Sequence, residues 1–253
     1  MDEILWIYQK QSNNVHDLKS HIWDEWADED GFIGNAYGYQ MGIRNQYKDV
    51  TEEGLQKAFP DVKITRGATV EHACKENHPA HEVALRYGEH WLMTQIDKVI
   101  YDLKNDPFSR RIMTTMWNPA ELHEMALEPC AYSMTFNVTE EDGQLVLNGI
   151  LNQRSQDMLA ANGWNVAQYA ILLMMIAQVC NMVPGELVHV IADCHIYDRH
   201  VPMIEELLKR EGYPAPKVRL NPAIKDFYDF TTEDLIVEDY QFGEQIKDIP
   251  IAI

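Results

Sequence analysis

From Ala131 onward, polar and apolar residues alternate. Tyr132, Met134, Phe136 and Val138 fall on one face and Ala131, Ser133, Thr135 and Asn137 on the other, the period of a half-buried strand. Glu140, Glu141, Asp142 and Gly143 supply a turn, and a second run rich in β-formers, Leu145 to Leu151, leads back. The predicted hairpin brings Cys130 close to Gln153, Arg154 and Ser155. Helical spacing appears over Ile4, Trp6, Ile7 and Tyr8 at the start of the chain. It recurs from Trp91 to Lys104 through Leu92, Ile96, Val99, Ile100 and Leu103, with Asp106-Pro107 as the stop. Asn118-Pro119 reads as the cap and first residue of a short helix that delivers the chain to Cys130. The longest apolar run, Val166 to Val183, is interrupted by Gln168, Gln178 and Asn181. At about 1.5 Å per residue it would only just cross a bilayer, so a buried core helix, capped by Asn165, is the better reading. Leu187 to Ala192 reads as a buried strand, and Pro202 to Lys209 as an amphipathic helix closed by Gly212.

At 253 residues, with no linker-like stretch, the chain has the length of one large α/β domain with an excursion at about 44–87. A formal net charge of −19 argues against binding a nucleic-acid polymer, which needs a basic face. A single nucleotide needs only a local arginine cluster, and Arg110, Arg111 and Arg154 are candidates. The four cysteines form no regular framework and no leader precedes Glu3, which points to a reducing cytoplasm. His72, Cys74, His78 and His81 lie within ten positions, but their spacing matches no standard structural-zinc pattern, and no metal is expected.

Cys130 is the candidate nucleophile. A thiol attacks as thiolate, and a guanidinium beside it favours the charged form. Taken alone, a free cysteine at a strand start more often packs as a small apolar residue. Arg154 and Ser155 offer a fork of N–H donors and a hydroxyl to a phosphate. Asn165 carries both a donor and an acceptor, complementary to the N3–H and O4 edge of uracil, whereas a cytosine edge would favour a carboxylate. The helix-cap role competes for the same side chain.

ALEPC, followed by QRSQD, WNVAQYA, DCHIYDRH and a C-terminal PIAI, resembles the folate-dependent thymidylate synthase family, in order and at compatible spacings. The resemblance covers nearly the whole chain apart from an insertion at about 44–87. It implies an α+β fold, a mixed sheet packed with a long buried helix, whose outer face forms a homodimer interface. It also implies reductive methylation of deoxyuridylate (dUMP) with 5,10-methylenetetrahydrofolate as co-substrate. By the same resemblance Cys130 is the nucleophile, and Glu3 and Tyr37 belong to the proton-transfer network. Asn165 reads the base, Arg154 and Ser155 hold the phosphate, and His195 and Tyr197 hold the sugar 3′-hydroxyl. Arg110 and Arg111 reach the phosphate from the partner subunit, which two neighbours can do together only from a loop or bulge. Ile22, Trp23 and Trp26 face the folate, Asp157 bonds its pterin ring, and Ala252 and Ile253 close over it.

The chain departs from the family pattern in three places. The segment that members carry ahead of the first helix, including an arginine loop on the phosphate, is absent. Ala131 stands where many have histidine, and Ala160-Ala161-Asn162-Gly163-Trp164 replaces the usual leucine-glycine-x-proline-phenylalanine loop. The alternatives are a pyrimidine-nucleotide hydroxymethylase of the same superfamily, which traps the one-carbon unit with water, and a catalytically impaired nucleotide-binding relative.

Overall fold

The computed structural model describes residues 1–253 except 68, 69, 77–80, 248 and 251–253. Helix α1 (Asp2–Tyr8) buries Ile4, Leu5, Trp6, Ile7 and Tyr8. Seven residues are too few for a helix to stand alone in water, so packing holds this one. The chain then loops through Gly34, at φ +67°, to α2 (Gly38–Gly42). A Cβ on Gly34 would lie 2.0 Å from the Glu124 carbonyl oxygen, so only glycine fits this approach.

The region that begins at residue 44 builds β1 (Asn45–Tyr47), α3 (Glu52–Ala58), β2 (Val62–Arg66), β3 (Glu71–Lys75), β4 (Glu82–Tyr87) and β5 (His90–Met93). Its strands form one antiparallel sheet in the order β1-β5-β4-β3-β2. Leu55, Phe59, Ala73, Val83 and Ala84 from this region join the same hydrophobic core as α1. Residues 91–93, predicted as helix, are strand. Helix α4 (Gln95–Asn105) starts only after Thr94, whose hydroxyl accepts the Asp97 N–H as a cap.

The second half of the chain is one mixed sheet and the helix packed on it. Strand β6 (Met113–Thr115) pairs antiparallel with β7 (Ala131–Glu141), and β7 antiparallel with β8 (Gln144–Asp157). Helix α5 (Asn162–Val179) carries the chain across to β9 (Val183–His195), which pairs with β8 in parallel. The β7–β8 turn is tighter than predicted: only Asp142 and Gly143 lie outside the strands, both at positive φ, as a two-residue hairpin turn of this twist requires. β8 also continues through Arg154 and Ser155 to Asp157. The predicted Asn118-Pro119 helix is instead a turn and a single 3₁₀ turn, Leu122–Glu124, although the Asn118 side chain accepts the Ala120 N–H as a cap would.

α5 is the core element. Leu172, Met175, Ile176 and Ala177 are fully buried, and Asn181 at φ +55° ends it. The Met182 N–H reaches the Ala177 carbonyl at 2.8 Å and the Asn181 N–H the Gln178 carbonyl at 3.2 Å, a Schellman closure. β9 is the sheet edge, and its span 187–192, predicted as buried, is not: of these residues only Leu187, His189 and Ile191 are half-buried, and the others are exposed. Its outer residues continue a register row, Met113–Thr135–Ile150–Val188, that no described residue covers. Helix α6 (Val201–Leu207), predicted as amphipathic, buries none of its residues. A hairpin of β10 (Lys217–Leu220) and β11 (Leu235–Glu238) completes the fold.

Leu172→Ala should lower the unfolding free energy by about 3 kcal/mol, the usual cost of a leucine-sized core cavity. Val166→Ala on the exposed side of the same helix should cost under about 1 kcal/mol. Urea midpoints at fixed protein concentration measure both; equal shifts would remove α5 from the core.

Candidate active site

The site starts from a one-residue irregularity in β7. Ala131 pairs with Gln153 and Ser133 with Asn152, so Tyr132 is an extra residue opposite no partner. The predicted alternation therefore holds from Ser133 onward and breaks before it, leaving Ala131 buried and Tyr132 half-buried. The bulge sets Cys130 level with Arg154, whose backbone N–H donates to the Cys130 carbonyl at 2.9 Å.

The Arg154 guanidinium is not aimed solely at the sulfur. Its Nε donates to the Pro129 carbonyl at 3.2 Å and its Nη2 to the Glu128 carbonyl at 2.7 Å, while the group lies 5.9 Å from the Trp117 ring centre. It thus fixes the backbone that presents the thiol. Burial pushes the Cys130 thiol up; the Arg154 charge and the Tyr37 hydroxyl hydrogen-bonded to the sulfur pull it down, by less. The Arg154 charge acts in the expected direction, toward the thiolate, and burial acts against it with the larger effect. Tyr37, itself at φ +46°, also accepts the Cys130 N–H at 3.2 Å. Burial and the neighbouring thiol hold its phenol far above the ordinary range, so Tyr37 keeps its proton.

Behind Tyr37 lies a chain of polar side chains in an otherwise apolar interior. Tyr37 packs edge-on to Trp23 at 4.8 Å, and the Trp23 indole N–H donates to Glu3 Oε1 at 2.9 Å. Glu3 Oε2 accepts from the Gln168 side-chain amide. Burial raises the Glu3 carboxyl above the usual carboxylate range despite these two donors. Asn165 is not the cap of α5, which begins at Asn162 after Ala161; it sits in the first turn with its side chain free for other bonds. Its Oδ1 accepts the Gln153 amide at 3.1 Å and its Nδ2 reaches Gln168 Oε1 at 3.5 Å. Gln153 Oε1 in turn meets His189 Nε2 at 2.8 Å.

The structure therefore brings Cys130, Tyr37, Glu3, Trp23, Asn165 and Arg154 together. Gln153, Gln168 and His189 were not singled out from the sequence as site residues. Gln168 left a signal, as a polar interruption one helical turn after Asn165 in an apolar run. Ser155 and Asp157 lie at the far end of β8, opposite Asp193 and His195 of β9. The His195 ring contacts Tyr197 edge-on at 4.9 Å, and its Nδ1 is 3.1 Å from Asp193. Asp157 Oδ1 accepts the backbone N–H groups of Leu159 and Ala160. Its Oδ2 is 3.5 Å from Nδ1 of the fully buried His200, without hydrogen-bond geometry. His200 Nε2 donates to the Pro250 carbonyl at 2.8 Å, holding the chain just ahead of its last three residues. Ala252 and Ile253 themselves lie outside the described residues. Ile22 is exposed and Trp23 buried.

Arg110 and Arg111 occupy a turn before β6 rather than a strand, both exposed and without a hydrogen bond or ion pair among the described residues. Since Met113 pairs with Thr135, they stand near the level of Asn137, roughly 20 Å along β7 from Cys130. Within one chain they do not reach the thiol. Of the histidine and cysteine group in the excursion, His72 bonds Glu82, His81 lies against Asp97 and the Tyr228 ring, and His78 lies outside the described residues. Among the described residues no group of three or more ligating side chains has metal-site geometry.

Comparison with known proteins agrees with this geometry. The profile of the family described as thymidylate synthase matches residues 1–252. Thymidylate synthase of Bacillus licheniformis is 39% identical over 247 residues, 96% of this chain and 73% of that protein. Thymidylate synthase 1 of Bacillus amyloliquefaciens is 37% identical over 253 residues, 98% of this chain and 91% of that protein. Among solved structures, the thermostable thymidylate synthase A from Bacillus subtilis superposes with a TM-score of 0.76 at 36% identity, covering 100% of this chain and 76% of that one. This chain belongs to the thymidylate synthase family.

Proposed function

We propose that the protein is a thymidylate synthase, converting dUMP to dTMP with 5,10-methylenetetrahydrofolate and releasing dihydrofolate. The observation that carries this is a single connected site: a thiol braced by Arg154, next to a protonated phenol, opening onto a buried carboxyl and an asparagine amide. Cys130 Sγ gives its proton to the water network and adds as thiolate to C6 of the pyrimidine, and the ring electron pair moves to C5 and O4. Asn165 accepts N3–H and donates to O4, where charge develops. C5 takes up the one-carbon unit and loses its proton to the water network held by Glu3 and Tyr37; the bond from the new carbon to the folate nitrogen then breaks, hydride from the released tetrahydrofolate reduces that carbon to methyl, and the Cys130–C6 bond breaks as the electron pair returns to sulfur, leaving dTMP and dihydrofolate. A carboxyl raised toward neutrality by burial suits that relay, since it can both give and take a proton.

The folate supplies a one-carbon unit and a hydride. Residues present fit it: Ile22 is exposed, Trp23 and Trp26 stack edge-on at 5.6 Å, and Asp157 Oδ2 keeps capacity to accept an N–H. Arg154 Nη1 and the Ser155 hydroxyl, both without a hydrogen-bond partner among the described residues, hold the phosphate. His195 and Tyr197 hold the sugar. The uncovered row Met113–Ile150–Val188, together with Val190, supports a homodimer through this sheet face, and Arg110 and Arg111 beside Met113 would serve the partner's phosphate. We read 1–253 as one domain with 44–87 as an insertion on the shared core. Four free cysteines, and no described helix long and apolar enough to cross a membrane, support a cytoplasmic location.

Cys130→Ser should abolish tritium release from 5-tritiated dUMP and the accompanying dihydrofolate; undiminished release would end the nucleophile assignment. Alkylation of the nucleotide-free protein by iodoacetamide should titrate above the ordinary cysteine range. Arg154→Ala should move it higher still, because the lost charge opposed the upward shift; a midpoint below the ordinary range would contradict this balance. Val188→Asp should leave the chain folded but shift its sedimentation from dimer to monomer, and an unchanged dimer would place the interface elsewhere.

A further inference from the structure

Asn165 can read uracil only if its amide is the right way round. A primary amide rotated by half a turn presents a donor where N3–H needs an acceptor and an acceptor where O4 needs a donor. In this chain the orientation is set by a run of side chains that can be read from either end.

At one end, the Trp23 indole N–H can only donate, so Glu3 Oε1 accepts it, and Glu3 Oε2 takes the Gln168 amide N–H. Gln168 Oε1 then faces Asn165 Nδ2, at a long 3.5 Å. At the other end, Gln153 is only 3% exposed and every polar atom of its amide is engaged. Its Nε2 donates to the Ser155 carbonyl at 2.9 Å and to Asn165 Oδ1 at 3.1 Å, while its Oε1 lies 2.8 Å from His189 Nε2. A backbone carbonyl only accepts, so Gln153 Oε1 must face His189, and the imidazole must carry its proton on Nε2. The contacts at this end are shorter than the 3.5 Å step to Gln168, so this end holds Asn165 more firmly. Each Asn165 atom retains one unfilled position among the described residues, an acceptor on Oδ1 and a donor on Nδ2, which is the complement of uracil.

We propose that His189 is a positioning residue for base recognition: it donates Nε2–H to Gln153, which fixes the Gln153 amide and through it the polarity of Asn165, so that the site prefers a uracil to a cytosine edge. The inference rests on the reading of Asn165 given above. Burial keeps the imidazole below its ordinary pKa, which leaves it neutral with one proton to place. Without His189, the buried Gln153 oxygen loses its donor and the amide has one restraint fewer. The side chain sits on the inner face of β9, opposite Leu151, and touches the base only through two intermediaries.

The test is the ratio of dissociation constants for dCMP and dUMP, measured by calorimetry on the protein and three variants. His189→Leu, which removes the donor, should shrink that ratio at least tenfold. His189→Gln, whose amide N–H can take the place of Nε2–H, should stay within threefold of the parent. A His189→Leu ratio within threefold of the parent overturns the role of His189. Asn165→Asp should turn the preference toward dCMP; an unchanged preference there overturns the base-reading assignment itself, and the inference with it. A readout that needs no variant is the ¹⁵N spectrum of histidine-labelled protein. It should show His189 protonated on Nε2 and bare on Nδ1, and the reverse tautomer overturns the proposal.

Discussion

The structure depends on one backbone contact, the hydrogen bond from the Arg154 N–H to the Cys130 carbonyl across the top of the β7–β8 hairpin. It exists because Tyr132 bulges out of register, which lets Ala131 pair with Gln153 instead of sliding one place along. The bulge lies in β7, so it decides which face Ala131 and Cys130 present, while Gln153 faces the helix by the alternation of β8, on the same side as the fully buried Leu147 and Leu151. Together the two set Cys130 at the mouth, Arg154 beneath its backbone, and Gln153 facing Asn165.

A second theme is that burial wins over charge throughout the site. The Cys130 thiol, the Tyr37 phenol and the Glu3 carboxyl are all held toward their neutral forms, in each case with desolvation as the largest cause. Arg154 moderates this at the sulfur but directs two of its donors to the Pro129 and Glu128 carbonyls. A site of neutral groups in low dielectric leaves the strongest electrostatics for the moment when charge appears on the reacting ring.

Much of this was legible in the residues. The period-two run after Cys130, the apolar run of α5 and the juxtaposition of Cys130 with Arg154 all follow from spacing. The bulge had no mark, since Tyr132 and Ala131 fit either face. β9 misled because Val188 and Val190 alternate with Leu187 and Ile191, and apolar residues on both faces read as burial whether the cover is a helix or a second chain. Trp91 to Met93 were drawn into the following helix by their apolarity, although Thr94 marked its true start. The network behind Asn165 joins residues 12 and 36 positions apart in sequence, at Gln153–Asn165 and Gln153–His189, and only the strand register makes them neighbours.

The most direct measurement is peptide-level mass spectrometry after incubation with methylenetetrahydrofolate and 5-fluorodeoxyuridylate, whose fluorine cannot leave C5 as a proton. A sulfur that bonds C6 should then stay attached, and the nucleotide should be found on the peptide carrying Cys130. Attachment to Cys74 or to the exposed Cys194, or no attachment while both ligands are bound, would contradict the account.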